Sequence, residues 1–346
     1  METSAHTISF KGRSTATEWP TVFVLATIVS LFGLITWFHD RMPAGLFIVG
    51  LGVITAWWSS IQHELLHGHP FPNRRLNDAI GQLSIALWLP YPLYKTSHLR
   101  HHRNELTDPF EDPETFYCTE AHWTSLNQFT RSVLWANRTL LGRFFIGPLL
   151  TLPAFCRNAI VDMIRRRDRA AAKMWLVHVF STGVTCVWAF WVCRIPVWHY
   201  LLGAVWLGMS LVMIRSFAEH RWVSGDESRT AMVHAAWPFA LLFLNNNLHH
   251  AHHARPNVPW YELTRLASLL ESSAKAESGA GLYRGYWHLA RHYLIRPFDG
   301  PVHPSEPIGA EMRLTTLRLT TLRRSAVPHL AAPTSRGGDI AESTST

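Results

Sequence analysis

Four apolar runs free of Asp, Glu, Lys and Arg constrain this chain more than any other feature. They cover residues 20–38, 43–61, 174–193 and 196–214. A helix needs about 20 apolar residues to cross the hydrocarbon core of a bilayer. Only HDRM separates the first pair and only Arg194 and Ile195 the second, so each pair predicts a helical hairpin. Buried helices of a soluble protein are the alternative, but four uncharged runs disfavour it.

Positive charge is distributed unevenly between the connections of these runs. The two short connections hold one arginine each, Arg41 and Arg194, whereas residues 62–173 hold 14 Lys or Arg. Positive loops stay on the cytoplasmic side. We therefore predict that both termini, the 62–173 segment and everything after Arg215 are cytoplasmic. The net charge of +8 is then explained by topology and by attraction to anionic headgroups, not by nucleic-acid binding.

The chain divides into three predicted regions. Residues 1–19 form a polar lead-in, and residues 20–298 form the membrane domain. Residues 299–346 combine a proline-rich linker, a basic segment with the repeat RLTTLRLTTLRR and a Ser/Thr-rich tail expected to be disordered. The first apolar run has no small-residue cleavage site behind it and is interpreted as a retained span. We expect an integral protein of a bacterial inner membrane.

Eleven of the 21 histidines fall in four short places: HELLHGH, HLRHH, SFAEH and HHAHH. His63 and His67 are four residues apart, so they share one face of the helix that continues the second apolar run. His220 follows the end of the fourth run by six residues. Two spans therefore present imidazoles at a similar depth on one side of the membrane.

The motif His-x-x-His-His occurs twice. On a helix, positions i, i+3 and i+4 lie within an arc of about 100°. The converging histidines are His98, His101 and His102 in the first copy, and His249, His252 and His253 in the second.

Nine candidate ligands result, which is too many for one catalytic zinc with its three protein ligands. They fit two metal ions with four or five ligands each. Nitrogen-rich coordination suits iron, although ligand type leaves zinc and copper open.

The boxes HELLH, HLRHH and HHAHH, with His220 before the third, resemble those of the membrane fatty acid desaturase and hydroxylase superfamily. The flanking stretches NELTDPFEDPE and NNNLHHAHHARPNVPWYEL also match it, and the resemblance covers roughly residues 20–263. It implies an all-α fold of four transmembrane helices in two hairpins, with a di-iron site in a cytoplasmic helical cap. The implied chemistry is O2-dependent attack on an unactivated C–H bond of a long-chain fatty acyl or lipid substrate.

Within that superfamily we favour desaturation. Alkane and lipid hydroxylases, carotenoid ketolases and fatty acid decarboxylases that form terminal alkenes share the same boxes and remain alternatives. The chain carries no cytochrome b5 signature, so we expect a separate electron donor, such as a ferredoxin with its reductase. A basic cytoplasmic face would suit an acidic donor.

Polar residues beside the boxes are candidates for supporting roles. A histidine bound to a metal usually donates its second N–H to a carboxylate or carbonyl, and Asn246 or Asn247 could hold a metal-bound water. For the carboxylates, solvated loop charges are the alternative. The candidates are Glu64, Asp108, Asp112, Glu219, Asn246, Asn247, His69 and His250.

Two other functions compete for the same histidines. HELLH contains the zinc metalloprotease pattern, in which Glu64 would be the general base. A protease needs a third metal ligand and a downstream Asp motif, which the sequence does not provide. A metal transporter would need polar residues within its spans, but the four runs contain no charged residue. Both functions are therefore disfavoured.

Overall fold

A computed structural model describes residues 16–225 and 228–304. This part of the chain is built almost entirely of helices. The first half contains α1 (Trp19–Trp37), α2 (Ala44–His67), α3 (Arg74–Gly81), α4 (Tyr91–His101), α5 (Glu120–Ser125), α6 (Gln128–Ala136), α7 (Leu140–Phe145) and α8 (Gly147–Arg166). The second half contains α9 (Arg169–Cys186), α10 (Val197–Tyr200), α11 (Gly208–Ser216), α12 (Trp237–Leu242), α13 (His249–Ala254), α14 (Leu263–Leu269), α15 (Ser272–Ser278) and α16 (Tyr286–Tyr293).

Shorter elements complete the described chain. Two-residue strands β1 (Met232–Val233) and β2 (Leu282–Tyr283) pair in parallel. Single 3₁₀ turns cover His39–Arg41 and Trp260–Glu262. Two π-helical segments, Val187–Val192 and Leu201–Leu207, prolong α9 and join α10 to α11.

Four helical stretches are long and apolar enough to cross a membrane, and they coincide with the four predicted runs. They are Trp19–Trp37, Ala44–His67, Arg169–Val192 and Val197–Ser216. The prediction of an all-α membrane protein with four spans in two hairpins is thereby confirmed. The cytoplasmic position of the cap and of both termini stays a prediction.

The second span continues beyond its apolar run into the first histidine box, as the sequence predicts. Helix α2 ends at His67 because Gly68 adopts a left-handed conformation with φ of 102°. Its N–H bonds to the carbonyls of Glu64 and Leu65, and glycine adopts this conformation at low cost. The third span begins in a polar first turn, where Asp168 accepts from the N–H groups of Ala170 and Ala171. Its helix therefore starts before residue 174.

Small residues bring the second and fourth spans together. Thr55 donates its hydroxyl hydrogen to the carbonyl of Ala204 across the pair, at 3.2 Å. A Cβ at Gly203 would lie only 2.9 Å from the carbonyl oxygen of Ile48 and 3.2 Å from Leu51 Cβ. Close backbone approach through small residues is the usual way in which helices pack in lipid. This contact fixes the relative position of two spans that lead to histidines.

Replacing Gly203 by valine should reduce the free energy of unfolding by about 1–3 kcal/mol, because the backbone of the second span would have to move away. Unfolding of the purified protein in mixed micelles measures the change. Gly183→Val in the third span is the matched control, since no atom of a neighbouring element lies within 4 Å of a Cβ built at Gly183. Equal stability of the two variants would contradict close packing at Gly203.

The cap is closed by the end of the described chain, which returns to the 117–138 region. The N–H of Cys118 donates to the carbonyl of Pro301, and the N–H of His303 donates to the carbonyl of Cys118. The compact unit extends to His303, and the division of the chain after residues 19 and 298 stays a prediction. Most of the 299–346 region, including the basic repeat, and most of the 1–19 lead-in lie outside the described residues.

Candidate metal centre

The structure brings the nine histidines predicted as ligands together in two groups. Within each group the candidate ligand atoms all lie within 4.8 Å of one another. The five-histidine group contains His63, His67, His98, His102 and His252, and the four-histidine group contains His101, His220, His249 and His253. All nine side chains are buried or half-buried. Their assignment as iron ligands stays a prediction, but the arrangement has the two sets of four or five that the sequence suggests.

Each His-x-x-His-His box contributes to both groups. His98 and His102 join the five-histidine group, whereas His101 joins the other. In the third box, His252 joins the five-histidine group, and His249 joins the other. Successive helical residues are rotated by about 100°. Two histidines that are adjacent in the sequence therefore point in different directions, and each can reach a different group. The two boxes therefore lie between the groups and join them.

Imidazole nitrogens converge within each group. His220 Nε2 lies 2.9 Å from His101 Nε2 and 2.8 Å from His249 Nε2. In the five-histidine group, the closest Nε2 atoms are 3.0 Å apart. Among the nine histidines of the two groups, the buried Nε2 atoms without a hydrogen-bond partner belong to His63, His67 and His253. Ring nitrogens that converge within 4.8 Å of one another suit a shared cation, so these residues fit a pair of metal ions.

Acidic and amide oxygens hold the other nitrogen of several rings. His101 Nδ1 lies 2.7 Å from Asp112 Oδ1, and His98 Nδ1 lies 3.1 Å from Glu114 Oε1. His249 Nδ1 lies 3.3 Å from Asn246 Oδ1 and 3.7 Å from Glu219 Oε1. A ring that donates its Nδ1 hydrogen keeps the lone pair on Nε2, which orients it as a ligand.

Glu114 was not singled out in the sequence, although it closes the stretch NELTDPFEDPE that follows the second box. It lies 16 residues after His98, too far for helical spacing to indicate a contact. The loop between them turns back because Asp112 accepts from the N–H groups of Thr107 and Glu114. The matching flank was the signal that could have pointed to it.

Electrostatics favour neutral rings at most of the site. Burial lowers the pKa of His220, His249, His252 and His253 well below the usual range, and burial together with His98 lowers the pKa of His102 to about 2. Unprotonated imidazole is the form that binds metals. For His101, burial opposes protonation, but Asp112 and Glu114 raise its pKa. For Glu114, burial opposes ionisation, but the surrounding histidines hold its pKa well below its usual range.

Three further predicted supporting residues accept or donate hydrogen bonds outside the histidine groups. Glu64 Oε2 accepts from the N–H of Trp260 at 3.1 Å, and its Oε1 lies 3.8 Å from His63 Nδ1. Asp108 accepts from the N–H groups of Phe110 and Glu111 in its own loop. Asn247 donates to the carbonyl of Val233 in β1 at 2.8 Å.

The two remaining candidate histidines join other elements. His69 Nδ1 lies 2.8 Å from Glu18 Oε1, which links the first box to the start of α1. His250 Nδ1 lies 2.9 Å from the Ser272 hydroxyl in α15. Neither belongs to a histidine group.

A cavity of 460 Å³ adjoins the four-histidine group at His220. Glu114, Glu219 and His220 line it on the side of the groups, and Met209 and Leu152 line it among the membrane-proximal helices. Four of the Trp and Tyr residues near the histidine boxes line this cavity, whereas Trp57, Trp260 and Tyr261 do not. The four are Trp58, Trp88, Tyr91 and Tyr94.

Comparison with known proteins agrees with this architecture. The sequence profile of the family described as fatty acid desaturase matches residues 41–288, which include all nine histidines. The chain is 30% identical over 146 residues to zeaxanthin 4-ketolase of Chlamydomonas reinhardtii, covering 38% of this chain and 28% of that protein. It is 24% identical over 259 residues to β-carotene ketolase of Paracoccus sp. (strain PC1), covering 71% and 89%.

The chain thus spans under a third of the first relative's length and most of the second's. The family profile covers most of the chain, and the structure supplies the spans and the converging histidines. The chain therefore belongs to the fatty acid desaturase family and is a membrane oxidoreductase.

Proposed function

We propose that each histidine group binds one iron ion and that the protein uses O2 to oxidise an unactivated C–H bond of an apolar substrate dissolved in the membrane. The observation that carries this proposal is the convergence of two sets of imidazole nitrogens, together with a cavity that His220 lines and that reaches the membrane-spanning helices. Iron bound there would supply O2 activation. A single catalytic zinc with three protein ligands would leave six of the nine imidazoles without a role.

The protein's own residues would position and shield this chemistry. Asp112 and Glu114 orient His101 and His98, and the apolar side chains of the cavity keep water from the reacting carbon. Leu87, Leu152 and Met209 line the part of the cavity nearest the membrane-spanning helices. An extended hydrocarbon chain could therefore enter from the bilayer with one carbon beside His220.

Two reactions have specific support. The family description favours desaturation of a long-chain fatty acyl group. Similarity to two ketolases, one matched along 89% of its length, favours oxygen insertion into a carotenoid ring. Hydroxylation and decarboxylation are related reactions that begin with the same attack on a C–H bond. All of them would draw electrons from a separate donor, for which a ferredoxin with its reductase is our proposal.

Expression in a bacterial host that makes carotenoids should give a new lipid or pigment product that depends on O2. Mass spectrometry of acyl chains, volatile hydrocarbons and carotenoids identifies it, with His101→Ala as the inactive control. A new double bond in an acyl chain supports desaturation, and a keto-carotenoid supports the second reaction. Purified protein that holds one zinc and no iron would overturn the di-iron proposal.

A further inference from the structure

Two buried guanidinium groups lie beside the histidine end of the cavity. Arg138 lines the cavity and is 5% exposed, and Arg143 is 1% exposed. Each guanidinium group lies over one of two consecutive aromatic rings, Phe116 and Tyr117, which also line the cavity. The carbon of the Arg143 guanidinium is 3.5 Å from the centre of the Phe116 ring, and that of Arg138 is 4.8 Å from the Tyr117 ring. The two cations therefore flank the same short segment.

Only one carboxylate in the described ranges 16–225 and 228–304 forms an ion pair with this pair of cations. Asp299 pairs with Arg138 and also accepts from the Tyr117 hydroxyl. Arg143 donates from Nε to the carbonyl of Asn137, but its Nη1 has no hydrogen-bond partner among the described residues. Burial and the charge of Arg138 lower the pKa of Arg143. A buried charge without a counter-ion is costly. The two cations have one carboxylate between them, so they lack a second negative charge.

The two cations lie close in space to both histidine groups. Phe116 follows Glu114 by two residues, and Glu114 bonds to His98 of the five-histidine group. The Tyr117 hydroxyl accepts from the N–H of Trp222, two residues after His220. The charged end of the cavity is therefore its histidine end, and the apolar end lies among the membrane-proximal helices.

On the proposed function, in which this cavity holds the substrate, we propose that Arg138 and Arg143 recognise the ionised carboxylate of an unesterified fatty acid. Arg138 bonds to the carboxylate directly, and Arg143 supplies the second positive charge from behind Phe116. The hydrocarbon chain extends towards the spans, so the carbon presented to the histidines belongs to the carboxyl-proximal part of the chain. Neutral carotenoids and esterified acyl chains lack the group that this site would bind.

Binding of palmitate and of methyl palmitate to the iron-loaded protein tests this inference without turnover. Equilibrium binding is measured anaerobically in the same detergent. The wild type should bind the acid at least about 10-fold more tightly than the ester, as expected of a charge-assisted hydrogen bond. Arg138→Met and Arg143→Met should each bring this ratio close to one. Equal binding of acid and ester by the wild type would overturn the proposal.

Matched variants separate recognition from folding. Arg138→Lys keeps the charge and should retain part of the acid preference, whereas exposed Arg291→Met on α16 should retain all of it. A methionine at position 143 fills a similar volume, and the ester affinity reports whether the cavity is intact. A folded Arg143→Met protein with an unchanged acid-to-ester ratio would also overturn the proposal. Because binding needs no product, a failure of the oxidation chemistry is seen separately.

Discussion

Replacing His249 by alanine should lower the iron content of the purified protein from about two ions to about one per chain. His249 belongs to the smaller group, and its Nε2 lies 2.8 Å from that of His220, so three ligands would remain. Product formation should fall by more than the roughly 10–100-fold that follows loss of a ligand's outer hydrogen-bond partner. Metal analysis and product yield, both per folded protein, measure the two effects.

His250→Ala is the control for this prediction, because His250 lies next to His249 in the same box. Its ring bonds to Ser272 and belongs to neither histidine group. Iron content should therefore stay near that of the wild type. A loss of iron in His250→Ala as large as that in His249→Ala would contradict the assignment of ligands within the third box.

Removing the charge of Glu114 should weaken iron binding even though Glu114 lies outside both groups. Its carboxylate lies 3.1 Å from His98 Nδ1 and holds that ring with Nε2 towards the centre. Glu114→Gln keeps an acceptor but not the charge, so we expect a loss of roughly 10-fold in iron affinity, and up to about 100-fold for Glu114→Ala. Competition with an iron chelator measures the affinity directly.

Glu120→Gln provides the comparison for Glu114, since Glu120 is exposed at the start of α5. It removes the same charge from the same cap without touching a histidine ring. Iron affinity should not change. If Glu114→Ala also left the affinity unchanged, its contact with His98 would not contribute to metal binding.

The membrane architecture was readable from the sequence because it depends on local composition. An uncharged run of about 20 residues has few stable alternatives to a spanning helix, and the four runs correspond to the four spans. The positions of His63 and His67 at the end of α2 follow from helical continuation alone. Convergence of the nine histidines could also be anticipated, since their number and spacing allowed few other arrangements.

Other features depended on contacts between distant segments, which spacing does not encode. The division of each His-x-x-His-His box between two groups is set by contacts with histidines from other segments, such as His63 with His252 and His220 with His101. Glu114 reaches His98 only through the fold of the intervening loop. The same holds for the partners of His69 and His250, Glu18 and Ser272, which lie on other elements.

The sequence by itself therefore determined the four spans, the nine candidate ligands and the family resemblance, because each depends on local composition or helical periodicity. The tertiary structure alone decided the five-and-four grouping, the role of Glu114 and the shape of the cavity. It also placed Arg138 and Arg143 beside Phe116 and Tyr117 at the histidine end of that cavity. Packing between segments far apart in the chain brings these groups together, and local sequence patterns do not predict that packing.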